Sequence, residues 1–134
     1  LLCGHLENDA GIIDAAISKD PALFPLMTIC ARTGKPARSR YRVVERIYQD
    51  TIMPLTRVEL NPETGRTHQI RVHMKYIGHP LPGDFLYHPE DHCIDRQALH
   101  SYRLSFIHPI TKQSLTFTAP LPEDMQAIFQ KTTT

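Results

Sequence analysis

Residues 60–87 have the sequence LNPETGRTHQIRVHMKYIGHPLPGDFLY, in which a short helix is expected between two turns. The first turn is predicted at residues 61–65, because Asn, Pro and Gly favour tight turns. Thr67 is a suitable N-cap for a helix over residues 68–77, and the following Gly and Pro favour its end there. The apolar face of this helix is predicted from residues at helical spacing: Ile70, Met74 and Ile77.

The start of this helix concentrates polar and basic side chains, namely Arg66, Thr67, His68, Gln69 and Arg71. Burying such groups is costly unless they have partners, so the cluster indicates a binding site. The helix N-terminus, together with these cations, would attract an anion such as a phosphate or a carboxylate. The alternative is an ordinary amphipathic helix whose Arg71 pairs with Asp84 or another acid.

The rest of the chain indicates a mixed α/β (α+β) domain with a mostly antiparallel sheet and a few short helices. The 134 residues suit a single domain over residues 1–134. A last short helix is predicted after Pro122, with Met125, Ile128 and Phe129 facing the core. Strands are predicted where apolar and polar residues alternate or β-branched residues gather: residues 11–14, 26–31, 39–49, 55–60, 99–106 and 114–118.

The distribution of charge is more informative than the net charge of +1. Residues 32–46 contain six cations and one acid, Glu45, which gives that stretch a net charge of +5. A basic face on a near-neutral protein fits a polyanion such as nucleic acid, whereas the alternative is a solvated strand surface. The six cations are Arg32, Lys35, Arg38, Arg40, Arg42 and Arg46.

The cysteines and histidines give little indication of a metal or a cofactor. The chain has three cysteines, Cys3, Cys30 and Cys93, and no two of them form a C-x-x-C pair. An odd number of widely spaced cysteines predicts reduced thiols in the cytoplasm. His88, His92 and Cys93 form only a loose trio in a loop, and Cys93 is interpreted as a partly buried thiol. The glycines are scattered, so a nucleotide cofactor is not expected, and no apolar run is long enough to cross a membrane.

Residues 60–87 resemble the signature of the RluA-type pseudouridine synthases, L-x-T-G-R-T-H-Q-I-R-V-H followed by G-H-P-hydrophobic-x-G-D and a Tyr. Residues 34–43 are similar to the family's lead-in G-K-x-A-x-T-x-Y-x-V. Residues 99–104 resemble its L-H-A-x-x-L strand, with Ser101 in place of Ala. Residues 117–120 resemble its F-x-A-P ending, so the likeness covers almost the whole chain.

The resemblance implies an enzyme that isomerises uridine to pseudouridine in ribosomal or transfer RNA, without a metal or a cofactor. The target nucleotide would leave the base stack to reach the site. Arg71 matches the family's arginine that pairs with the catalytic aspartate, a role that its fork geometry suits. The RNA contacts that the resemblance implies are Arg38, Arg40, Arg42, Arg66, Thr67, His68 and Gln69.

The family's R-L-D-x-x-T-S-G block, which carries the catalytic aspartate, is not in this sequence. We therefore expect residues 1–134 to be the C-terminal part of a pseudouridine synthase catalytic domain and to be inactive alone. Asp84, in the G-D turn, is interpreted as structural. An exposed sheet edge and an incomplete core would make the chain self-associate or fold only marginally. The alternatives are a truncated RNA-binding module without catalysis, or a scaffold that binds zinc through its His-rich loop.

Overall fold

The computed structural model describes residues 1–23, 25–47, 54–90 and 94–130. Every pair of neighbouring strands within these ranges is antiparallel. The mixed α/β (α+β) class with an antiparallel sheet and short helices is therefore confirmed. The elements are β1 (Leu2–Cys3), β2 (Ala10–Asp14), β3 (Ile17–Lys19), β4 (Met27–Ile29), β5 (Arg38–Ile47), β6 (Leu55–Pro62), α1 (Gln69–Tyr76), β7 (Arg103–Ile107), β8 (Ser114–Thr118) and α2 (Glu123–Gln130).

The chain forms two compact units, Leu1–Ala98 and Leu99–Thr134. The first unit contains a four-stranded sheet in the order β1-β6-β5-β2 and a separate β3-β4 pair. The second contains the β7-β8 hairpin and helix α2. Neither described helix is long or apolar enough to cross a membrane.

Strand β5 is the longest strand and has two different faces. Ser39 and Tyr41 are buried, while the arginines that alternate with them are exposed, as the period of two in its sequence predicts. The register against β6 shifts between Val43 and Glu45. The strand ends at Ile47, and residues 48 and 49 of the predicted strand lie outside the described residues. The basic side chains of β5 thus stand on the face opposite its buried residues.

Helix α1 begins one residue later than predicted, and Thr67 is not its N-cap. The cap position is taken by His68, which has left-handed backbone angles (φ 54°, ψ 24°) and no side-chain capping bond. The side-chain oxygen of Gln69 instead accepts the backbone N–H of Arg66 at 3.0 Å. The prediction was wrong because Gln69 folds back onto the preceding turn, which leaves Thr67 exposed.

The predicted end of helix α1 is confirmed. Gly78 has φ 89°, and its N–H donates to the carbonyl of Lys75 at 2.9 Å. The N–H of His79 donates to the carbonyl of Met74, also at 2.9 Å. These two bonds form a Schellman motif, which uses a glycine because an L side chain is strained at this φ.

The apolar face predicted for α1 is only partly correct. Met74 is fully buried, whereas Ile70 and Ile77 are half-buried. Val72 packs instead into a cluster with Ile17 and Tyr87. The buried face also contains Gln69, Arg71 and His73, which a hydrophobic pattern cannot assign because their burial depends on polar partners elsewhere in the fold.

The remaining elements lie close to their predicted positions. The strand predicted at 114–118 is confirmed, whereas the one predicted from residue 99 begins only at Arg103. In helix α2, Met125 and Ile128 are buried as predicted, and the side chain of Phe129 lies outside the described residues. Leu104, Phe106 and Phe117 of the hairpin are exposed, so this unit has an apolar surface.

Candidate functional site

The centre of the site is a buried ion pair between helix α1 and the following turn. Arg71 donates from Nε to Oδ2 of Asp84 at 2.9 Å and from Nη2 to Oδ1 at 2.6 Å. Arg71 is 8% exposed and Asp84 is 0% exposed. The planar guanidinium and carboxylate meet in a two-bond fork, which fixes the orientation of both side chains. The sequence left the partner of Arg71 open, and the structure identifies it as Asp84.

Asp84 also organises the turn on which it stands. Its Oδ1 accepts the backbone N–H groups of Leu86 at 3.1 Å and Tyr87 at 3.2 Å. Burial alone would raise the pKa of Asp84, but hydrogen bonds from Arg71 and from these N–H groups lower it below its usual value. The carboxylate therefore stays ionised and anchors both Arg71 and the 84–87 turn.

Two aromatic rings flank the guanidinium of Arg71. Its central carbon lies 5.6 Å from the ring centre of Phe85 and 5.3 Å from that of Tyr87. Both distances permit a favourable contact between a cation and the π face of a ring. Tyr87 is buried whereas Phe85 is exposed, so one side of this arrangement faces solvent.

The ring of His68 contacts the hydroxyl of Tyr87 through Nδ1. The Tyr87 hydroxyl accepts the N–H of Met27 at 3.0 Å, and its oxygen lies 2.8 Å from Nδ1 of His68. We assign the hydroxyl proton to this second contact, which places the ring proton of neutral His68 on Nε2. Burial, followed by the charge of Arg71, lowers the pKa of His68. In the assigned tautomer, neutral His68 has its N–H donor at Nε2, beside the ion pair.

A second polar network fixes helix α1 against strand β5. The side-chain amide of Gln69 donates to Oγ of Ser39 at 2.9 Å and to the carbonyl of Arg38 at 2.8 Å. His73 contacts the same Oγ through Nδ1 at 2.8 Å and the carbonyl of Ala15 through Nε2 at 2.9 Å. Each polar side chain of this network has a partner, as burial requires, and the network locates the start of α1 on the sheet.

The basic surface of β5 is partly neutralised by acids. Arg38 and Arg40 both pair with Glu63, at 3.2 and 3.0 Å, and Arg42 pairs with Glu59 at 2.7 Å. Glu59 lies directly opposite Arg42 in the sheet register. The net charge counted over residues 32–46 did not include these acids, because they belong to the neighbouring strand β6 and to the turn after it. Exposed ion pairs of this kind are weak, so they hold these arginines only loosely.

The remaining residues of the predicted site differ in their contacts and in their exposure to solvent. Arg66 donates from Nε to the carbonyl of Pro36 at 2.8 Å, and Thr67 is exposed. Gln69 lies in the buried network and not at the surface. The fold thus brings Arg66, His68 and Arg71 to the start of α1, while Arg40 and Arg42 lie on the exposed face of β5.

Sequence reasoning gave no site role to Phe85 or Tyr87. The spacing of Asp84 and Tyr87 contained a usable signal, because an Asp followed by a turn commonly accepts N–H groups two and three residues later. The contact of both rings with Arg71 could not be predicted locally, because it depends on how the turn packs on α1.

No group of three or more His, Cys, Asp or Glu side chains that could hold a metal is found in the described ranges. Of the His-rich loop, His92 and Cys93 lie outside those ranges.

The sequence is similar to a family of RNA-modifying enzymes. Residues 1–76 match the family model described as RNA pseudouridylate synthase. The chain is 48% identical over 128 residues to the uncharacterized RNA pseudouridine synthase YlyB of Bacillus subtilis, covering 95% of this chain and 40% of that protein. It is 42% identical over 139 residues to ribosomal large subunit pseudouridine synthase D of Nitrosomonas europaea, covering 97% and 38%.

Two further relatives agree with these matches. The dual-specificity RNA pseudouridine synthase RluA of Pasteurella multocida is 43% identical over 122 residues, covering 90% of this chain and 54% of that protein. Among solved structures, human RNA pseudouridylate synthase domain containing 1 aligns with a TM-score of 0.75 and 26% identity, covering 97% of this chain and 62% of that one. The chain spans 38–54% of the length of the three curated relatives.

Proposed function

The chain belongs to the RNA pseudouridylate synthase family, and we propose that it supplies the arginine side of a site that isomerises uridine in ribosomal or transfer RNA. The supporting observation is the geometry of Arg71, which is buried and held by Asp84. A guanidinium has five N–H donors, and two of them are used by Asp84, which leaves three. These three can hold a second carboxylate, the role that the family resemblance implies.

The reaction breaks the bond between C1′ of the ribose and N1 of uracil. The base then rejoins C1′ through its carbon 5, and the hydrogen on that carbon is released. A carboxylate takes part in this chemistry in the family, and a neighbouring guanidinium keeps such a group ionised and oriented. We assign this second role to Arg71.

The acid bound to Arg71 in this chain is not a suitable nucleophile. Asp84 is 0% exposed, and its oxygens already accept bonds from Arg71, Leu86 and Tyr87. The family's R-L-D-x-x-T-S-G block is not in the sequence. We therefore propose that the chain binds RNA but does not catalyse the reaction without a segment carrying that block.

The RNA contacts are proposed at two places in the first unit. Arg38, Arg40 and Arg42 would exchange weak surface ion pairs for phosphates, and Arg66 and His68 would contact RNA near the start of α1, beside Thr67. Gln69 contributes indirectly, because its amide is committed to the backbone and to Ser39. Such contacts would hold a uridine that has left the base stack.

The test is release of tritium from RNA labelled at carbon 5 of uridine. The chain is assayed alone and as a chimera with an added N-terminal segment that carries the family's R-L-D-x-x-T-S-G block. We expect release by the chimera and none by the chain alone. Arg71→Lys in the chimera should reduce release by at least about 100-fold while changing RNA retention on a filter less than about threefold.

Each other result has a definite meaning. Release by the chain alone would place the nucleophile within it, and Asp84→Asn and Asp14→Asn would identify it. RNA retention by an inactive chimera would favour the RNA-binding module. Equal losses of release and retention in Arg71→Lys would show that Arg71 only contacts phosphate.

The proposed location is the cytoplasm, which fits an RNA substrate and the thiol of Cys30, which is in no disulfide. The proposed partners are RNA and, for the chain in isolation, a second copy of itself.

A further inference from the structure

We propose that Phe85 is a stacking surface for a nucleobase and that the remaining N–H groups of Arg71 bind an oxygen of the same nucleotide. The identity of the ligand as RNA rests on the proposed function. The assignment of Phe85 rests on three features of the structure: an incompletely paired buried cation, an exposed ring beside it and a fixed turn beneath that ring.

The first feature is the hydrogen bonding of Arg71. Its side chain donates two hydrogen bonds to Asp84 and none to any other described residue, although Arg71 is only 8% exposed. Buried donors without acceptors are costly. One carboxylate in a bidentate contact would take two of the three remaining N–H groups, so at least one remains for an acceptor oxygen of a ligand.

The second feature is the exposure of Phe85. At 66%, it is the most exposed large hydrophobic side chain in the described part of residues 1–98. One face of its ring is turned toward the guanidinium of Arg71, 5.6 Å from the ring centre. The ring therefore contacts Arg71 while most of the residue is accessible to solvent, and an accessible ring is what base stacking requires.

The third feature is the turn that carries this ring. Oδ1 of Asp84 accepts the N–H groups of Leu86 and Tyr87, and the backbone carbonyl of Asp84 accepts the N–H of His88 at 2.8 Å. These three bonds enclose the backbone of Phe85. The ring is thus exposed to solvent on a backbone that is fixed, which reduces the entropy lost when a ligand binds.

The two groups together select the chemical class of the ligand. A free phosphate would satisfy Arg71 but would not use the ring. An apolar side chain would cover the ring but would leave the guanidinium unpaired. A uridine nucleotide has both a flat base and acceptor oxygens on its carbonyl and phosphate groups, so it matches the ring and the cation at once.

The experiment is equilibrium binding of two probes to the full chain. The first probe is an oligouridylate about ten nucleotides long, within the usual range of site sizes. The second is a strand of the same length that lacks the bases. The variants are Phe85→Leu, which removes the ring, and Phe85→Tyr, which keeps it. Tyr76→Leu is the matched control, because Tyr76 is an aromatic residue of the same unit with 59% exposure.

We expect Phe85→Leu to weaken oligouridylate binding about tenfold. Phe85→Tyr and Tyr76→Leu should change it less than about twofold, and no variant should change binding of the base-free strand. Because Phe85 is exposed, Phe85→Leu should lower the urea midpoint of unfolding only slightly, through loss of the contact with Arg71, and Phe85→Tyr provides a second check of folding.

The inference is overturned if Phe85→Leu binds oligouridylate as tightly as the parent chain, a result that leaves RNA binding and the proposed function intact. It is also overturned if both probes lose affinity equally, since the ring would then act without contact to a base. If the parent chain binds neither probe, the proposed RNA binding fails together with the inference.

Discussion

At the scale of single residues, the ion pair of Arg71 and Asp84 determines how the site responds to substitution. We predict that Asp84→Asn lowers the free energy of unfolding by about 3 kcal/mol, because it leaves a buried guanidinium without a charged partner. The measurement is urea denaturation. Glu90→Gln is the control, because Glu90 is exposed and should change stability by less than about 0.5 kcal/mol.

The same pair predicts a dependence on pH. The pKa of Asp84 is lower in the folded chain than in the unfolded chain, so the unfolded chain binds more protons in the acidic range. The stability that this carboxylate contributes is therefore complete above about pH 4 and is lost as pH falls through the folded pKa. Asp84→Asn should lack this component of the acid dependence. An unchanged acid dependence in the variant would contradict the assignment.

At the scale of elements, the end of helix α1 depends on the backbone of one glycine. We predict that Gly78→Ala lowers the free energy of unfolding by about 1 kcal/mol, because φ is 89° there. Apart from chain neighbours, no heavy atom of the described residues lies within 4 Å of an added Cβ at either Gly78 or Gly65, and Gly65 does not have a positive φ. Gly65→Ala should therefore leave stability unchanged or slightly increased. Similar losses in the two variants would show that backbone strain is not the cause.

The contrast between the two ends of α1 shows what a sequence can predict about an element. Its end depends on Gly78 and on bonds within the last turn, so a local pattern was sufficient. Its start depends on Gln69, whose side chain contacts Arg66 and Ser39. Ser39 lies 30 positions away in the chain, and no local pattern contains that contact.

The same limit applies to the site. The resemblance predicted a role for Arg71, and the sequence offered Asp84 as one possible partner. The ion pairs of Arg40 and Arg42 were not foreseen, because they depend on the register of β5 against β6 and on the turn that follows. The rings around Arg71 were also not foreseen, because the packing of a turn on a helix is a tertiary property.

At the scale of the whole molecule, the β7-β8 hairpin predicts self-association. Leu104 lies opposite Phe117 and Phe106 lies opposite Leu115 in the register, so these four side chains share one face, and Leu104, Phe106 and Phe117 are exposed. We predict concentration-dependent dimers in sedimentation velocity. Leu104→Lys should weaken them about tenfold, the effect of losing a large part of one buried leucine.

The matched control is Ser105→Lys, which adds the same charge to the opposite face of β7. It should leave the dimer unchanged. A monomer at all concentrations, or equal weakening by the two lysines, would show that this apolar face does not mediate association.

The ion pair at the start of α1 would also affect the thermodynamics of the proposed RNA binding. The side chain of an arginine on a protein surface has about 2 kcal/mol of rotamer entropy and is surrounded by water. It loses both the entropy and the hydration when it binds a ligand. Arg71 has lost most of its rotamer entropy and hydration before any ligand binds, because Asp84 fixes it in a buried position. The entropy and the hydration of Arg71 are therefore lost during folding. A nucleotide that binds as proposed would contact a guanidinium that is already oriented and already dehydrated.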